Sequence, residues 1–123
     1  MTSDPKSGAI LAHLRLPVSD LTKAISFFEV IGAREDVRRG DFAVVEFRDQ
    51  TRLQLTQSDD NIPAATSLQF DFKVEDIDAA WGDYDAQGLK PGDIKRQTPG
   101  HDSFLVTGPD FWEVKINSGY KAS

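Results

Sequence analysis

Apolar and polar residues alternate along several short stretches of this chain and recur at helical spacing along two others. In residues 10–18, Leu14, Leu16 and Val18 share one face, while His13, Arg15 and Pro17 share the other. That period of two is the signature of a half-buried strand. Pro17 has no N–H to give to a ladder, which places one side of this strand at a sheet edge. Ser19 or Asp20 can cap a helix starting at Leu21. Leu21, Ala24, Ile25 and Phe28 form its apolar stripe, and Gly32 ends it. A short charged strand over 33–39, a turn at Arg39-Gly40-Asp41 and a β-rich segment over 41–48 follow. Residues 51–57 alternate again, with Leu53 and Leu55 against Arg52, Gln54 and Thr56.

The same order then returns. A strand is expected over 68–74, and Asp76 caps a helix containing Ile77, Ala80, Trp81 and Tyr84 that ends at Gly88. A turn with a weak strand follows over 90–95. The last strands, over 102–107 and 111–117, are joined by Gly108-Pro109-Asp110. The repeat has a constant offset (69 − 13 = 56, and 76 − 20 = 56), pairing Leu14 with Phe70, Leu16 with Phe72, Phe28 with Tyr84 and Gly32 with Gly88. Self-similarity of this kind means one supersecondary unit used twice. The expectation is an α+β domain over 1–123, built of two tandem βαβββ modules at about 9–57 and 67–117, whose sheets curl around a shared cleft.

Each module has one helix to cover one sheet face, so that face must be apolar. Leu14, Leu16, Leu53, Leu55, Phe70, Phe72, Trp112, Val114 and Ile116 supply it. Alternation sends His13, Arg15, Arg52, Gln54, Gln69, Asp71, Glu113 and Lys115 to the other face. This face reads either as a solvated surface or as the lining of a polar cleft. His13 and Gln69 are repeat mates, and Gln54 and Glu113 occupy equivalent late positions, which favours the cleft.

Composition narrows the partners. With 14 Lys and Arg against 20 Asp and Glu, the net charge is −6, which disfavours nucleic acid, where phosphate neutralisation needs clustered cations. There is no cysteine, so disulfides, thiolate metal sites and cysteine nucleophiles are excluded, in keeping with a cytoplasmic setting. Apolar runs fall far short of a membrane span, and residues 1–7 carry no apolar stretch of the secretory type, so neither membrane nor export is expected. His101 follows Pro99-Gly100 and reads as an exposed loop residue. The acidic turn over 58–61 lacks the spacing of a calcium loop. No Gly-rich phosphate loop and no nucleophile elbow are present.

With these residues in view, the chain resembles the vicinal oxygen chelate superfamily, which includes glyoxalases, methylmalonyl-CoA epimerases, extradiol dioxygenases and the bleomycin and fosfomycin resistance proteins. The resemblance spans about residues 10–117. It rests on His13-Leu-Arg-Leu-Pro-Val-Ser-Asp20, on Ala24-Ile-Ser-Phe-Phe28 with Gly32, and on the closing Gly108-Pro-Asp-Phe-Trp-Glu113-Val. It implies paired βαβββ modules, often in a homodimer. In metal-dependent members the ligands lie on the first and last strand of each module, positions that correspond here to His13, Gln54, Gln69 and Glu113. Such a set would take a divalent ion (Zn, Ni, Co, Mn or Fe).

Two functions follow from that resemblance. In an isomerase or lyase of glyoxalase or epimerase type, the ion would chelate vicinal oxygens of a substrate. Glu113 would act as general base, and Arg15, Arg52 or Lys115 would hold an anionic group. An ion pair with Asp71 is the competing role for Arg15. In a metal-free small-molecule binder of the antibiotic-sequestering type, Phe42, Phe47, Phe104 and Trp112 are candidate walls. Trp81 and Tyr84 read as core or dimer contacts.

Overall fold

The computed structural model describes residues 14–48, 51–58, 69–110 and 112–119, with Gln69 described through its backbone. Among the described residues the elements follow in the order β1 (Leu14–Val18), α1 (Leu21–Ile31), β2 (Arg34–Arg39), β3 (Phe42–Glu46), β4 (Arg52–Gln57), β5 (Gln69–Lys73), α2 (Ile77–Ala86), β6 (Ser103–Thr107) and β7 (Glu113–Asn117). They make an α+β fold of two sheets and two βαβββ-like modules. The first sheet has the order β1-β4-β3-β2 and the second β5-β7-β6. In each, the first strand pairs in parallel with the last: Leu16 lies opposite Leu55 and Phe72 opposite Ile116. No helix among the described residues is long and apolar enough to cross a membrane.

The helix starts obey the sequence. Asp20 accepts from the Lys23 N–H and Asp76 from the Ala79 N–H, at 3.1 and 3.0 Å. Gly32 takes φ of +132°, and its N–H returns to the carbonyls of Phe28 and Glu29. Ser19, the rival cap, does something else. Its backbone N–H (3.1 Å) and hydroxyl both donate to the buried carboxylate of Asp110, 91 residues away. Gln57 adds a second tie, accepting from the Leu21 N–H at 2.8 Å and donating to the Ser19 carbonyl. The start of α1 is thus anchored to the β6–β7 turn of the other module. Gly108 opens that turn and must be glycine, since a Cβ there would stand 2.5 Å from the Trp112 ring.

Two expectations need correction. The weak strand over 90–95 does not form; only a lone bridge joins Lys95 to Ser103. The Gly92 N–H still donates to Leu105 of β6, but Pro91 lacks a donor and the Gly92 carbonyl accepts from the Trp81 indole at 2.7 Å, so the pairing does not continue. Arg96 then holds this connection in place through Asp78 on α2 and Asp102. The hydrogen bond from Arg96 keeps the Asp78 carboxyl below its ordinary range. The second correction is Leu14, assigned to the covered face but 54% exposed. At the start of β1 it lies beyond the helix and borders a groove.

The rest of the apolar face is as patterned: Leu16, Leu53, Leu55, Trp112, Val114 and Ile116 are buried, and Phe70 and Phe72 half-buried. The two faces share one helix. Phe28 of α1 is fully buried; its ring stacks on Trp112 at 5.5 Å, meets Phe70 edge-on at 5.7 Å and meets Phe47 at 6.0 Å. Phe27 adds a second edge contact to Trp112 at 6.1 Å. Each such pair contributes about 0.5–1.5 kcal/mol beyond its buried area. From α2, Tyr84 packs on Phe104, and its hydroxyl donates to the Ile31 carbonyl of α1 at 3.3 Å.

Replacing Phe28 by Ala should cost about 3–5 kcal/mol in urea unfolding, as for a large ring removed from a closed core. A loss under about 1 kcal/mol would mean that the ring does not join the modules. Burial, followed by the Asp83 charge, raises the Tyr84 phenol above its ordinary value. Its contribution is therefore complete below pH of about 10 and is lost as the pH rises through the higher native value. Tyr84→Phe should flatten the alkaline limb of a stability–pH profile and lower stability at neutral pH by about 1 kcal/mol.

Candidate functional site

A groove of about 780 Å³ runs along β5. One wall is the outer edge of β5 and its continuation to Glu75. The other is made by Leu14 of β1, Arg52 and Leu53 of β4, Phe47, Arg48 and the end of α1. Three half-buried aromatic rings form a continuous surface on it. Phe72 lies 4.9 Å from Phe47 across the modules and 6.1 Å from Phe70 along its own strand, the latter pair inclined by only 16°. Phe28 closes the ring of contacts from behind.

Of the charged side chains around the groove, Arg48, Arg52, Asp71 and Glu75 have partners, and Lys73 is exposed. Arg48 reaches Glu75 at 3.3 Å, from the end of β3 to the end of β5. Arg52 lies 3.6 Å from Glu46 and 4.0 Å from Asp36, both of which also meet Arg34. Asp71 accepts from the Asn117 amide. The stem of Lys73 crosses Gly119, where an added Cβ would come within 3.1 Å of Cε. Asp71 and Lys73 thus send their side chains over β7, not into the groove.

Of the residues singled out by the sequence, the register brings Arg15 beside Gln54, Gln69 beside Glu113, and Asp71 beside Lys115. The first pair lies on the four-stranded sheet and the other two on the three-stranded sheet. Arg15 and Glu113 are exposed; Gln54 and Lys115 are half-buried. Among the described residues of that polar set, Arg52 and Asp71 border the groove and Arg15, Gln54, Glu113 and Lys115 do not. The polar set is therefore split: among the described residues β5 is an edge strand, and its outer side borders the groove. The expected pair of Arg15 with Asp71 is replaced by the bond of Asp71 to Asn117. Arg52, proposed to hold an anion, already has two carboxylates.

His13 lies outside the described residues, as does the acidic turn beyond Ser58. Among the described residues, no group of three or more His, Cys, Asp or Glu side chains could hold a metal ion. The remaining donors are one carboxylate and two neutral amides, with the Arg15 cation beside Gln54, which is a poor match for a divalent ion. Of the aromatic wall candidates, Phe47 lines the groove, Phe104 and Trp112 are core, and Phe42 lies half-buried outside it. The sequence did not single out Phe70 and Phe72 as walls. Their signal was position: they lie on an edge strand whose repeat mate carries Pro17.

Residues 10–116 match the family model described as Glyoxalase/Bleomycin resistance protein/Dioxygenase superfamily. The chain belongs to this superfamily. Solved structures share its fold at low identity. An antibiotic-binding protein from a Streptomyces species superposes with a TM-score of 0.74 at 22% identity, covering 91% of this chain and 98% of that one. A bleomycin-binding protein complexed with bleomycin gives 0.71 at 15%, covering 90% and 99%. The fosfomycin resistance protein FosX from Listeria monocytogenes, complexed with Mn(II) and a dihydroxypropylphosphonic acid, gives 0.70 at 18%, covering 90% of each chain. No curated protein sequence matches the chain. The superfamily thus contains both metal-bound members and small-molecule binders, on one scaffold.

Proposed function

We propose that this superfamily member is a small-molecule-binding protein of the sequestering kind, with its ligand in the groove along β5. One observation carries the reading: Phe47, Phe70 and Phe72 present half-buried rings to a groove in which Arg48 and Arg52 are already paired. The volume suits a drug-sized molecule, and sites for such molecules are apolar walls with a few polar anchors. Two fold neighbours, an antibiotic-binding protein and a bleomycin-binding protein complexed with bleomycin, support the same class. The working form is proposed to be a cytoplasmic homodimer without nucleic-acid or membrane partners.

A second reading places a divalent ion (Zn, Ni, Co, Mn or Fe) on the polar faces, held by His13, Gln54, Gln69 and Glu113. Glu113 would also serve as base, and Arg15, Arg52 and Lys115 would hold an anionic group. The lateral pairing of Gln69 with Glu113 favours it; the neutral amides weigh against it.

A thermal-shift screen of antibiotics and related natural products, with and without added divalent ions, separates the two readings. The groove reading expects metal-independent stabilisation by several degrees at saturating ligand, weakened about tenfold in Kd by Phe72→Leu, as for a lost ring contact. Stabilisation that requires an ion, and is lost in both His13→Ala and Glu113→Ala while Phe72→Leu is silent, would overturn it.

A further inference from the structure

The backbone of β5 adds a recognition element to the aromatic wall. The Val74 N–H donates to the Asn117 carbonyl, so alternation turns the backbone groups of Phe72 and Phe70 toward β7. Those of Asp71 and Lys73 point the other way, along the groove. On that side β5 pairs with no strand among the described residues. The groove therefore offers backbone N–H and C=O groups at the foot of a stacked pair of rings.

We infer that the ligand of this groove is a flat, uncharged, conjugated molecule carrying a lactam- or imide-type edge, which stacks on Phe72 and pairs with the backbone of Asp71 and Lys73. This rests on the groove reading above and narrows it. Three facts support the class. Flat rings stack on the Phe72 face at small energetic cost. A buried amide edge needs hydrogen-bond partners, and a sheet edge supplies donor and acceptor side by side. Of the three described cations lining the groove, Arg48 is paired with Glu75 and Arg52 with Glu46 and Asp36, and Lys73 carries its stem past Gly119, which favours an uncharged molecule over an anion. A molecule is favoured over a peptide strand because just two residues of β5 present their backbone groups to the groove, too short a rail for stable strand addition.

The test titrates naphthalimide into the full chain, following its fluorescence and the backbone amide resonances. The expected result is a shift of the Asp71 and Lys73 amides, with affinity about tenfold lower for N-methylnaphthalimide, for the naphthalate dianion and for Phe72→Leu. Phe70→Leu provides a second wall variant should Phe72→Leu fail to fold. If N-methylnaphthalimide binds as well as the parent while the wall variants bind worse, the edge pairing is wrong and the groove remains the site. If naphthalimide binding is indifferent to both wall variants and the resonances of Gln54 or Glu113 move instead, the edge pairing and the groove reading both fail. If naphthalimide does not bind at all, while another screened compound depends on Phe72, the ligand class is wrong and the groove stands.

Discussion

Phe28 belongs to the first module by sequence and to both by contact. Its ring meets Phe47 on one side and Phe70 and Trp112 on the other, so α1 covers the apolar faces of two sheets. Neither sheet is large, so the contacts of one helix weigh heavily in both. The polar ties at the start of α1 act in the same direction. Asp110 and Gln57 hold Ser19 and Leu21 from elements distant in sequence. The buried carboxylate is tolerable because it has two donors, and removing them would strand it. Ring packing and these hydrogen bonds together fix how the modules meet.

The groove is a by-product of that packing. α1 can fill the space behind the sheets only as far as Ile31, after which Gly32 turns the chain away. Phe47 and Phe70 meet Phe28 on one side, and together with Phe72 they stay half-buried. Edge strands are normally blunted by charge. Here Asp71 and Lys73 carry the charge, yet their side chains lie over β7, so the backbone edge faces the rings unscreened. Both arginines beside the groove are paired, which leaves shape, stacking and backbone hydrogen bonds as the main selectivity.

Much of this was legible in the residues. The repeat gave two modules, Asp20 and Asp76 gave both helix starts, and alternation separated Leu53 and Leu55 from Arg52 and Gln54. What escaped was long-range. Ser19 reads as a cap, and only its meeting with Asp110 shows its other use. Leu14 has the right period but lies past the end of the helix that would bury it. Residues 90–95 resemble their repeat mates weakly, and Pro91 with the Trp81 bond to Gly92 diverts them from the sheet. The candidate ligand set was assembled by symmetry, and symmetry does not say which strand edge a groove will follow. Packing between modules decides that, and pattern within a module carries no trace of it.

Native-state hydrogen exchange on the unliganded chain tests the central claim most directly. If α1 joins both sheets through Phe28, the slowest amides of β4 and β7 should open together, with the same free energy and the same dependence on denaturant. If β7 opens at a distinctly lower free energy while β4 stays protected, the modules are independent, and the groove between them has no fixed walls.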